Sequence, residues 1–162
     1  MKRHFFCKKY ALILLGDRHM ESYEISCKTL ALIPIGLNKT RIIEEEKEYN
    51  IEKSLMNILD YNCKINGSSY YGRYESSKLL IGLSSKLPIL LKEKGREILI
   101  PTTSSRNMNC CWISYNNLKD YYKENKNVIL VFKNNEKLKI DISIKVFEKQ
   151  ILKVNKLIIK LD

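Results

Sequence analysis

The hydrophobic period changes once near the C-terminus, and that change constrains the fold more than any other stretch. Across Asn127–Phe132 and Lys137–Ile142, apolar residues recur at strand spacing on both sides of Asn134-Asn135. A period of two with a short Asn-rich connection predicts an antiparallel hairpin. From Ile144 the apolar residues Ile144, Phe147, Ile151, Val154, Ile158 and Leu161 step by three and four. Lys145, Lys149, Lys153, Lys156 and Lys160 fall on the opposite side. This spacing predicts a helix with one apolar seam. The seam is under three heptads, so packing on the protein's own sheet is its expected use, ahead of a dimer interface. The lysine stripe reads as a solvated face.

Upstream, Ser22–Ser26 and Thr29–Pro34 read as two short strands joined tightly at Cys27-Lys28, with Thr40–Glu44 as a third. Asn50 can cap a helix over Ile51–Cys63, where Ile51, Leu55, Ile58, Leu59 and Cys63 share helical spacing. Asn66-Gly67 then stops that helix, with Gly67 in the left-handed region. Leu87–Lys92 and Glu97–Pro101 predict a second hairpin around Glu93-Lys94-Gly95. A polar loop, Thr102–Asn109, leads to a short strand over Cys110–Tyr115 that holds the single tryptophan, Trp112. The expected fold class is α+β: a single domain, mainly antiparallel β-sheet, with a mid-chain helix and a long C-terminal helix. The domain is expected to occupy residues 20–162. Residues 1–19 are expected to be an extension, and Met20 is an alternative start. Its apolar stretch, Tyr10–Gly16, is far too short to span a bilayer, so no membrane partner is expected.

The run Gly67-Ser68-Ser69-Tyr70-Tyr71-Gly72-Arg73 reads as a shaped loop that ends in a basic tip after a flexible joint. It superficially fits a phosphate loop, with Arg73 at the lysine position and Tyr74 at the Ser/Thr position. Arginine does not replace that lysine and tyrosine does not ligate Mg²⁺ as a small hydroxyl does, so a nucleotide site is not expected.

Net charge is +11, unevenly spread. Residues 67–109 carry seven basic and three acidic side chains, and residues 110–162 carry eleven and six. A basic half of this kind points to a polyanionic partner. Enzymatic chemistry has little to work with. His4 and His19, the only histidines, lie in the extension, and Glu44–Glu48 reads as a solvated charge run. No histidine follows Cys110-Cys111 to activate a thiol. The five cysteines lack C-x-x-C spacing and are expected to be reduced, so no catalytic, cofactor or metal site is expected. Nucleic-acid binding asks only for cations on phosphates and a few groups in a groove. Arg73 and Arg106 stand beside serine or asparagine in polar loops, which suits arginine entering a narrow A/T-rich minor groove. Ser68, Ser69, Arg73, Lys78, Lys86, Arg106 and Asn107 are the candidate DNA contacts. Single-stranded RNA stacked on Tyr70, Tyr71 and Trp112 fits the composition almost as well.

A set of ordered motifs adds to this reading. Glu21-Ser22-Tyr23-Glu24, Cys63-x-x-x-Gly67-Ser68-Ser69-Tyr70-x-Gly72-Arg73, Lys86-x-Pro88-Ile89, Pro101-Thr102-x-Ser104-Ser105, Cys110-x-Trp112-Ile113-Ser114, Ile142-Ser143 and Phe147-Glu148-x-Gln150 occur in sequence. Together they resemble the competence transcription factor ComK family from about Glu21 to about Leu157. The resemblance implies a cytoplasmic activator of DNA-uptake genes that binds paired A/T-rich boxes of double-stranded DNA from the minor-groove side. It implies a homo-oligomer, a dimer or larger, that cooperates with RNA polymerase. It does not say which residues touch DNA. Residues 1–19 have no counterpart in the pattern. Nor has the tail by which family members continue past the position of Asp162, linked to activation and adaptor-mediated proteolysis, any counterpart here. The alternative is an interaction protein of the same family that dimerises through the C-terminal helix and modulates a full-length relative without activating.

Overall fold

A computed structural model describes residues 22–162. Its elements in chain order are β1 (Thr29–Gly36), β2 (Lys39–Glu44), β3 (Glu48–Ile51), α1 (Leu55–Ile65), α2 (Tyr70–Ile81), β4 (Ile89–Lys92), β5 (Glu97–Pro101), β6 (Trp112–Ser114), β7 (Leu118–Glu124), β8 (Asn127–Phe132), β9 (Lys137–Ile140) and α3 (Ile144–Leu161). The first six strands form one sheet in the order β3-β2-β1-β6-β5-β4, and β7-β8-β9 form a second. Every neighbouring pair is antiparallel. The fold class expected from the sequence is the one observed.

Strand alternation divides the core in two. Leu32, Ile42, Leu99 and Trp112 face a cluster completed by Leu55, Ile58, Leu59 and Cys63 of α1. Their neighbours Ile43, Ile98, Ile100 and Ile113 point the other way, into a cluster with Val128, Leu130 and Phe132 of β8 and Phe147, Val154 and Leu157 of α3. The large sheet therefore lies between α1 on one side and the small sheet plus α3 on the other. Helix α2 contacts α1, β4 and α3, so it wraps the β4 edge and covers what would otherwise be an open row of backbone groups.

The α3 seam is core, as its spacing predicts. Phe147 is fully buried with its ring edge-on to Tyr121, centroids 4.9 Å apart. Ser143 caps the helix by accepting from Val146 N–H, and the buried Gln150 donates Nε2–H to the Pro101 carbonyl at 2.6 Å.

Four local expectations are corrected. Residues 22–26 are not a strand: the buried Asn62 amide accepts from Ile25 N–H and donates to Tyr23 C=O, taking the place of a ladder. The mid-chain helix begins at Leu55 behind Ser54, not behind Asn50, because Glu48–Ile51 pairs with β2 and buries Ile51 beside Ile42. Gly72-Arg73 is not a loop tip. Ser69 caps α2 by accepting from Gly72 N–H, which places both residues in the first turn. Glu44 is not solvated but accepts from the hydroxyls of Tyr23 and Tyr49, at 2.6 and 3.2 Å. Strand β7, whose seven residues include four charged ones, was not anticipated. Gly67 meets its expectation, with φ of 97° after the Asn66 cap. The proposed 1–19 extension lies outside the described residues.

Candidate nucleic-acid interface

Antiparallel order places the C-terminal ends of β1 and β5 and the N-terminal ends of β4 and β6 at one end of the large sheet. The polar loop from 102 to 111 leaves from this end. It is built, not slack. Thr102 N–H donates to Cys111 C=O, Asn107 N–H to Ser104 C=O, and Cys110 N–H to Asn107 C=O, at 2.8–3.0 Å. The Asn107 side-chain oxygen accepts from Asn109 N–H at 2.9 Å, an Asx turn. Residues 106–109 are exposed, and the loop contains no acidic residue. Arg106 makes no ion pair among the described residues, so its guanidinium is available to an external anion.

A second cationic group lies at the same end. Lys86 stands three residues before the start of β4 and holds φ of 51°, a conformation lysine adopts rarely. Lys153 of α3 is half-buried and donates Nζ–H to the carbonyls of Ser85 (2.7 Å) and Lys86 (3.1 Å). Burial first, then the nearby charges of Lys86 and Lys149, push its ammonium below the ordinary lysine range. Three like charges thus crowd together, an arrangement an anion relieves. Gln150, between Lys149 and Lys153 on α3, is bonded to Pro101, where the loop begins. The sequence gives no sign of this group, because the lysine stripe looks uniformly solvated until the fold brings Lys86 alongside.

The other candidates disperse. Arg73 has a side-chain exposure of only 11%; it donates to Asn66 C=O at 2.6 Å and lies 3.7 Å from Glu93, at the opposite end of β4. Lys78 is exposed on α2 and pairs with Glu75. Ser69 is used as a cap, and Ser68 lies half-buried beside Gly72. Tyr70 packs edge-on against Trp112, centroids 5.9 Å apart, and its hydroxyl reaches Ser105 of the loop. The α2 start therefore adjoins the loop, whereas Arg73 turns away from it. Trp112 is fully buried and cannot stack on a base.

The thiols of Cys63, Cys110 and Cys111 are held inert. Burial pushes Cys63 up to about 12 and Cys111 up to about 11, and raises Cys110 as well. Raised values disfavour the thiolate that nucleophilic chemistry requires. Among the described residues no group of His, Cys, Asp and Glu is placed to hold a metal ion, and no helix is long and apolar enough to cross a membrane.

Comparison with known proteins agrees with this picture. The family described as ComK protein matches residues 20–162. This chain belongs to the ComK family. Its similarity to the competence transcription factor of Bacillus subtilis (strain 168) is 30% identity over 139 residues, covering 83% of this chain and 72% of that protein. No solved structure matches it. The family is one of competence-related transcription factors, which makes DNA the polyanion of interest for the loop and lysine group of this ComK-family chain.

Proposed function

We propose that this ComK-family protein is a DNA-binding activator of competence genes that engages A/T-rich boxes through the minor groove. One observation carries the reading: an exposed arginine without an ion pair among the described residues, on an internally hydrogen-bonded, acid-free loop at the same end as three crowded lysines. Arg106 and Asn107 enter the groove, where the negative potential of A-tracts favours a guanidinium. Lys86, Lys149 and Lys153 neutralise flanking phosphates and hold the register. Ser68 and Ser69 lie near enough to the loop to approach a sugar or phosphate. Arg73 and Lys78 are the weaker contacts of the set, since each is already paired within the chain. Residues 20–162 constitute the DNA-binding domain, preceded by the 1–19 extension. The protein acts in the cytoplasm, without a cofactor, as a dimer or larger assembly spanning paired boxes and cooperating with RNA polymerase.

The test is a binding titration with duplexes carrying two A/T-rich boxes against a G/C-matched control at physiological salt. Preference for the A/T duplex supports the reading, and equal affinity sinks it. A second reading has its own observation. Leu152 and Ile159, seven residues apart on the solvent side of α3, are exposed. They suit a helix-mediated contact by which the protein modulates a longer relative without activating. Changing both to glutamate separates the readings: the interaction reading requires loss of assembly with the relative, whereas the activator reading requires DNA binding by the chain itself.

A further inference from the structure

The β1–β2 hairpin turns at Leu37-Asn38, between the paired residues Gly36 and Lys39. Neither turn residue has a positive φ, so the turn admits leucine without backbone strain. Leu37 stands at the tip, 71% exposed. Met108 is 64% exposed on the 102–111 loop, two residues beyond Arg106. Strands β1 and β6 are neighbours paired at Leu32↔Trp112, so the hairpin tip and the loop leave the sheet at the same end. Two exposed apolar side chains therefore project from the same end of the sheet as Arg106 and Asn107, with Asn38, Lys39 and Asn109 as their sequence neighbours. Glu52, the carboxylate at this tip, is tied to Lys39 at 2.9 Å.

We propose that Leu37 and Met108 are wedges that insert between base steps of the bound duplex and kink it while Arg106 lies along the minor groove. The proposal rests on the DNA-binding reading above. Exposed Leu and Met side chains rimmed by cations and amides match the chemistry of minor-groove insertion, in which unstacking a step is offset by the wider contact a bent duplex permits. A protein partner is a poorer occupant. Stable protein interfaces bury roughly 1,200–2,000 Å² in total, more than two separated tips supply. Insertion is least costly at flexible TA steps, so the wedge also selects within A/T-rich sequence.

The test uses the full chain and an end-labelled A/T-rich duplex whose end-to-end distance is followed by energy transfer. Both side chains are exposed, so a Leu37→Ala, Met108→Ala double variant should retain the wild-type urea midpoint. The wild type should bend the duplex by an angle on the order of 20–90°. The variant should bend it less and bind it about tenfold more weakly, yet recover to within about threefold of wild type on a duplex nicked at the box centre, where unstacking costs little. Equal bending and affinity in the two proteins overturns the proposal, as does the same loss on intact and nicked duplexes. Dissociation of a DNA-free dimer by the substitutions, read by sedimentation, also overturns it. Wild-type binding to A/T duplex without any bend removes the wedge but leaves the DNA-binding reading standing. Absence of A/T preference in the wild type removes that reading itself.

Discussion

Asn62→Ala removes a buried α1 side chain whose hydrogen bonds tie residues 22–26 to that helix. Asn62 is fully buried; its oxygen accepts from Ile25 N–H at 2.7 Å, and its amide donates to the carbonyls of Tyr23 and Ile58 at 2.8 Å each. The Ile58 carbonyl keeps its ordinary helical partner after truncation, so it loses little. Ile25 N–H and Tyr23 C=O lose theirs in the interior, at about 1–3 kcal/mol apiece. The expected destabilisation is therefore about 2–6 kcal/mol, or a fall in urea midpoint of about 1–3 M at an m-value near 2 kcal/mol/M. Asn66→Ala is the matched control. Its amide also donates to a helix carbonyl, that of Asn62, but at a half-buried site, and its loss should stay within about 1 kcal/mol. Equilibrium unfolding followed by circular dichroism measures both. A loss below about 1 kcal/mol for Asn62→Ala would mean that water or a shifted backbone satisfies the two groups, and the account of this segment would be wrong.

Three further outcomes follow from the same geometry. Ile151→Glu places a charge against the α3 core and should cost about 2–4 kcal/mol, while Leu152→Glu one position on should stay within about 0.5 kcal/mol; unfolding curves with the reverse order would mean the seam is misassigned. Arg106→Ala should erase the preference for A/T over G/C duplex. Lys149→Ala should weaken both duplexes alike and lower the log–log salt slope by about 0.9, and a sequence-dependent effect at Lys149 would reassign it to base reading. Burial raises the Cys63 thiol to about 12. The unfolded chain therefore gives up its proton first, and stability present below about pH 8.5 is lost as pH climbs toward the folded value. By pH 10.5 this thiol alone should account for about 2–3 kcal/mol of lost stability. A Cys63→Val variant should lose correspondingly less between neutral pH and pH 10.5, and an unchanged decline would contradict the assignment.

Local periodicity carried what could be read of the fold from sequence. The β8–β9 and β4–β5 hairpins and the α3 seam each announce themselves within about twenty consecutive residues, as does the Gly67 stop. Helix α2 does not. Its buried residues are Ser77 and Ile81, because it packs at a sheet edge between α1 and α3 instead of lying on a face, and no apolar stripe results. Gly72 misled for a related reason: a Cβ there would collide with the Ser68 hydroxyl, so the glycine answers close packing in a helical turn and not a flexible joint. Residues 22–26 alternate like a strand, but their backbone partners come from a side chain 37 positions away. At the candidate interface, the exposure of Arg106 was legible because its loop is polar, short and free of acids. Arg73 has the same neighbours in sequence, yet the start of α2 turns it inward toward Asn66 C=O and Glu93. Lys149 and Lys153 gain their meaning only when Lys86 is folded against them.

Competition of the full chain between an A/T-boxed duplex and its G/C-matched control, for wild type and Arg106→Ala, tests the central claim most directly. The account predicts tighter wild-type binding to the A/T duplex, a difference that vanishes in the variant while residual, salt-sensitive binding persists. Equal wild-type affinity for the two duplexes, or selectivity that survives loss of Arg106, would contradict it.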